Sequence, residues 1–72
     1  MTVREWLQKH EDDYRRDAGR ETRLIREDPY NKYEHVESQN VLNNIAATFR
    51  LTRYSLPKVA LDAEMEDNND SA

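Results

Sequence analysis

The chain contains no cysteine, and across 72 residues that absence narrows the possible folds more than any other feature. Small domains bury a modest share of their surface, and a single core of this size rarely supplies more than about 3–5 kcal/mol. Disulfides or a thiolate-bound zinc usually make up the difference, and neither can form here. The apolar set is thin as well: hydrophobic residues are 36% of the chain and charged residues also 36%. One domain is therefore expected, built from locally formed elements.

The sequence predicts helices. Thr2 and Glu5 have the Thr-x-x-Glu spacing of a capping box, in which hydroxyl and carboxylate each answer an orphan amide. Val3, Trp6, Leu7, His10 and Tyr14 then recur as one stripe at helical spacing. Gly19, the only glycine, is the expected stop, giving a helix over residues 3–18. Residues 20–36 remain open between loop, helix and hairpin. Asp28-Pro29 reads as a helix start, or as a turn joining two extended pieces; the helix-start or loop reading is preferred because alternation on either side is weak.

A second helix is predicted over 37–49, with Val41, Leu42, Ile45, Ala46 and Phe49 on its apolar face and a possible extension back to Pro29. A turn or short extended piece follows at 50–55. Ser55 then reads as the cap of a third helix, with Pro57 in its first turn. The expected fold is mainly α: a small bundle of two to three short helices over residues 1–66, then a disordered acidic tail at 67–72.

The net charge of −4 is unevenly laid out. Residues 1–35 carry eight basic and nine acidic side chains, residues 36–61 three and one, and the remainder five acidic and no basic. An acidic total argues against indiscriminate nucleic-acid binding, though not against a local basic patch. No stretch reads as a signal peptide or membrane span, so a soluble, cytoplasmic protein is expected.

Catalysis is not expected. Cysteine is absent, and Ser38, Ser55 and Ser71 lie in no nucleophile motif. Glu11, Asp12 and Asp13 point in different directions around a helix, so with His10 and His35 they read as a solvated face rather than a metal or acid–base site. No cofactor and no small-molecule substrate is implied.

Two surfaces remain. Val3, Arg4, Trp6, Leu7, His10 and Tyr14 are either core or a protein-binding face, since Trp, Tyr and Arg dominate binding hot spots. Residues 42–61 resemble the helix-turn-helix DNA-binding family in the spacing of Ile45, Ala46, Phe49, Leu51, Leu56 and Val59. Arg50 stands where that family most often has glycine, and Pro57 falls inside the would-be recognition helix. That resemblance implies Arg50, Thr52, Arg53, Tyr54, Ser55 and Lys58 as nucleic-acid-binding residues. The alternative is an ordinary helical hairpin with the same packing needs.

As a whole, from MTVREWLQKHEDDYRRDAG to its acidic end, the chain resembles the short, charged, cysteine-free regulators with which lytic bacteriophages take over host transcription. The RNA-polymerase-binding kind carried by a Xanthomonas phage is the nearest in character. The resemblance implies a non-enzymatic protein that binds bacterial RNA polymerase, inhibits initiation and promotes antitermination. A DNA-binding regulator is the runner-up, and a stoichiometric inhibitor or antitoxin of a host enzyme the third reading.

Overall fold

The computed structural model describes residues 1–65, and all its regular elements are helical. Helix α1 spans Val3–Glu27, a 3-10 turn spans Pro29–Asn31, α2 spans Lys32–Ser55, and α3 is the single turn Lys58–Leu61. The mainly α expectation holds, but the two principal helices are long, with 25 and 24 residues. The tail at 67–72 lies outside the described residues.

The start of α1 is the one the sequence announced. Thr2 Oγ1 accepts from the Glu5 amide at 3.2 Å, and Glu5 Oε1 accepts from the Thr2 amide at 2.9 Å. Those bonds, led by the Thr2 backbone amide, hold the Glu5 carboxyl below its ordinary value.

The predicted stop at Gly19 does not occur. Gly19 is an exposed helical residue without positive φ, and α1 continues for two more turns. Glycine in mid-helix costs roughly 1 kcal/mol relative to alanine. That penalty is met by its neighbourhood: Asp13–Arg16 and Asp17–Arg20 pair one turn apart at 3.0 and 2.7 Å, and Ala18 is buried against the partner helix. The ambiguous segment beyond Gly19 is therefore helix as far as Glu27, where the Asp28 amide closes it on the Leu24 carbonyl at 2.8 Å. Pro29 then opens the 3-10 turn, which reverses the chain.

The second correction concerns residues 50–55. They are the last turns of α2, not a turn or extended piece. Leu56 and Pro57 are the extended residues, as expected for a proline and the position before it. Ser55 does not cap α3; its hydroxyl donates back to the Leu51 carbonyl at 2.7 Å, and Pro57 takes the cap position. After α3 the chain returns to the start of α1. Val3 N–H donates to the Ala63 carbonyl at 3.0 Å, Met65 N–H to the Met1 carbonyl at 2.9 Å, and Arg4 pairs with Asp62 at 3.0 Å.

The helices pack antiparallel along one seam. Leu7, Glu11, Tyr14, Ala18, Glu21 and Ile25 follow the alternating four–three spacing of a coiled-coil stripe, as do His35, Gln39, Leu42, Ala46, Phe49, Arg53 and Leu56. Cross-seam contacts fix the register: Glu11 with Arg53, Tyr14 with Phe49, Thr22 with Gln39, Glu21 with His35. This register sets Ala18 and Ala46, 3% and 0% exposed, at the same level, where their small side chains permit close approach of the helices. Among the described residues, the buried apolar ones are Leu7, Ala18, Ala46 and Leu61.

A Cβ placed on Gly19 meets nothing within 4 Å. Gly19→Ala should therefore stabilise the fold by about 0.5–1 kcal/mol, raising Tm by several degrees in a domain this size. Thermal unfolding followed by circular dichroism checks it, and a lower Tm would contradict a helix that is continuous through Gly19.

Candidate protein-binding site

The predicted stripe on α1 meets Phe49 of α2. Tyr14 and His10 lie nearly parallel to the Phe49 ring, at 5.7 and 5.4 Å between centroids and 18° between planes. Trp6 meets Phe49 edge-on at 5.8 Å and tilts over His10 at 4.2 Å. Such pairs contribute about 0.5–1.5 kcal/mol each beyond the area they bury. The cluster spans the boundary between core and surface. Leu7 is buried, Trp6, His10, Tyr14 and Phe49 are each half-buried, and Val3 is half-buried beside them. Arg4 is exposed and held by Asp62.

The acidic run diverges, as helix geometry requires, but not all of it is solvated. Asp12 accepts from Gln8 and Asp13 from Arg16, both at the surface. Glu11 turns inward, its side chain 8% exposed, while His10 packs on Phe49 and His35 is 17% exposed between two carboxylates, which corrects the solvated-face expectation for these three residues. Its Oε1 accepts from Arg53 Nη2 at 2.9 Å and its Oε2 from Arg15 Nε at 3.1 Å. Burial pushes the Glu11 carboxyl upward, but the two guanidinium groups together outweigh it and hold the carboxyl below its ordinary value. Arg53 Nε is buried without a hydrogen-bond partner, a polar cost the seam carries.

His35 closes the other end of the hairpin. Its Nδ1 lies 2.6 Å from Glu21 Oε2 and its Nε2 3.0 Å from Asp28 Oδ2. Both ring nitrogens must donate to satisfy two carboxylates, so this is the geometry of an imidazolium. The bonds to Asp28 and then Glu21 raise the His35 pKa above 6.5, while those from Asn31 and His35 lower that of Asp28 below 3.8. The clip thus joins α1, the turn and α2.

The helix-turn-helix candidates are not gathered on one recognition helix. Arg50, Thr52, Arg53, Tyr54 and Ser55 belong to the end of α2, and Lys58 begins the four-residue α3. Arg53 points into the seam toward Glu11, and the Thr52 and Ser55 hydroxyls bond back to carbonyls of their own helix. Arg50 and Tyr54 are exposed, with the Arg50 guanidinium 5.6 Å from the Tyr54 ring centre. Among the described residues no group of three or more His, Cys, Asp or Glu could hold a metal ion. No described helix is long and apolar enough to cross a membrane.

Sequence reasoning missed both cross-helix polar clusters. The signal for Glu11 was present, because it continues the four–three spacing from Leu7 to Tyr14. Asp28 gave no such signal, since it joins His35 only through the turn. Comparison with known protein families, curated proteins and solved structures finds no match, so the geometry alone describes the site.

The His35 clip predicts a pH dependence. The folded-state pKa is raised, so its stabilisation is complete below about pH 6.5 and is lost as pH rises through the raised value. Asp28 works in the opposite sense, its contribution being lost as pH falls through its lowered value. Tm should therefore decline on the alkaline side of pH 6.5, and His35→Gln should flatten that decline. A wild-type Tm that rises through this window would count against the clip.

Proposed function

We propose that the chain is a non-enzymatic regulator that acts by binding another protein, with bacterial RNA polymerase as the partner. The observation that carries the binding half is the aromatic cluster. Four rings, Trp6, His10, Tyr14 and Phe49, stack across two long helices, and none is fully buried. A preorganised aromatic surface of this kind loses little side-chain entropy on binding, and Trp, Tyr and Arg are the residues that most often anchor interfaces. Arg4 stands exposed one turn from Leu7 at the same end of α1. The choice of polymerase rests on the whole-chain resemblance to phage host-takeover regulators. Inhibition of initiation and promotion of read-through follow from that resemblance in the same way.

The partner is tested with purified bacterial RNA polymerase and the labelled chain, followed by fluorescence anisotropy. Saturable binding is expected. Trp6→Ala should weaken it by on the order of tenfold, equivalent to about 1.4 kcal/mol, whereas Trp6→Phe keeps a ring against His10 and Phe49 and should cost less. In a reconstituted transcription reaction the chain should lower promoter-dependent initiation and raise terminator read-through. Absence of saturable binding removes the polymerase proposal. Salt-sensitive binding to duplex DNA in place of polymerase would favour the DNA-binding reading instead.

A further inference from the structure

Helix α2 is unusual on the side it turns away from α1. Leu42, Ala46, Phe49 and Arg53 occupy the seam, so Tyr33, Glu37, Asn40, Asn44, Ala47, Leu51 and Tyr54 run along the opposite side at three- and four-residue spacing. Tyr33, Leu51 and Tyr54 are 88%, 64% and 66% exposed. An outward helix face normally carries charge. Yet residues 38–49 contain no charged side chain at all, whereas α1 is charged throughout its length. Loss of charge from the middle of a surface, with aromatic residues retained, is the compositional mark of an interface core.

The charges that flank this stretch say what covers it. Exposed Glu34 and Glu37 lie on its N-terminal side and exposed Arg50 on its C-terminal side, while Arg53 is turned into the seam toward Glu11. Take a two-fold axis crossing α2 between Asn43 and Asn44. It sets Glu37 opposite Arg50 of a second copy, and Arg50 opposite the second Glu37. The same axis sets Tyr33 against Tyr54, Val36 against Leu51, and Asn40 against the small Ala47. At the centre Asn43 meets Asn44, amide to amide. A parallel arrangement would instead bring Glu37 to Glu37 and Arg50 to Arg50, which is repulsive. Glu37 makes no ion pair among the described residues, so its charge is available for this purpose.

The shape supports the same conclusion. The hairpin measures 46 × 32 × 13 Å with a radius of gyration of 15.7 Å, against about 11 Å for a compact chain of this length. It is one helix layer deep, whereas a domain is ordinarily built from two packed layers. We propose that the outward face of α2 is the interface of a symmetric homodimer, in which α2 packs antiparallel on α2 of a second copy about an axis at Asn43–Asn44. The closed two-fold pairs Glu37 with Arg50 twice and leaves the Trp6 cluster on α1 clear of the interface.

Sedimentation equilibrium of the full chain over a concentration series tests this. The wild type should be a dimer. Glu37→Arg alone and Arg50→Glu alone each create two like-charge pairs, and each should weaken the dimer by on the order of tenfold. The double variant E37R/R50E restores both pairs with reversed polarity and should regain the wild-type dissociation constant. As a second measurement, Asn40→Cys with Ala47→Cys should oxidise to a covalent dimer. The two positions are about 10 Å apart within one helix, beyond disulfide reach, but opposite each other across the proposed axis. A wild type that stays monomeric at its solubility limit overturns the proposal. So does a larger assembly, or a dimer indifferent to the single charge reversals.

Discussion

The carboxylate of Glu11 is the point on which the hairpin depends. It is the one strongly buried charge among the described residues, and it reaches Arg53 across the seam, 42 residues away in sequence. An antiparallel pair of helices with few large apolar contacts has little to choose between one register and the next. Sliding α2 by a turn would also part Tyr14 from Phe49 and Glu21 from His35, but the most deeply buried charge is stranded here. A displaced register strips Glu11 of Arg53 and leaves it only Arg15 of its own helix, and a buried carboxylate short of a partner is more costly than a shifted alanine. The pair therefore specifies the alignment more than it adds to stability. The aligned seam then brings Tyr14 to Phe49, Thr22 to Gln39 and His35 to Glu21.

The rest of the structure follows from how little the seam buries. With Leu7, Ala18, Ala46 and Leu61 as its buried apolar side chains, the hairpin is closed at both ends by polar clips. His35, between Glu21 and Asp28, holds the turn. The return of Ala63 and Met65 to the first residues of α1, with Arg4 on Asp62, holds the other end. Between these clips the aromatic cluster is only half covered, and the outer face of α2 is uncovered. The proposed binding role and the proposed second copy would each use the same shortage of apolar cover, on different faces.

Parts of this were legible in the sequence and parts were not, for identifiable reasons. The capping box at Thr2 and Glu5 is a local signal, and it was read correctly. So was most of the apolar periodicity of both long helices, although Val41, expected on the apolar face of α2, is 51% exposed. Gly19 misled because glycine propensity is weak: packing of Ala18 and ion pairs on either side override a penalty of about 1 kcal/mol. Residues 50–55 misled in the opposite way, since the mostly polar run before Pro57 reads as a chain break, while the helix persists to Ser55 and ends only at the residue before the proline. At the candidate site, the stripe from Trp6 to Tyr14 was visible from spacing, but its meeting with Phe49 needed the register. That register depends on a charge 42 positions from its partner, which no local pattern encodes.

A double-mutant cycle on Glu11 and Arg53 tests the account most directly. Glu11→Leu should leave Arg53 without its buried partner, and Arg53→Met should leave Glu11 with only the half-exposed Arg15; each should destabilise the fold by about 1–3 kcal/mol. The double variant, apolar on both sides of the seam, should recover most of either loss, because neither charge is then stranded. Denaturant unfolding that gives this large favourable coupling supports a hairpin aligned by the pair. Losses that simply add would show that Glu11 and Arg53 act independently, and would contradict it.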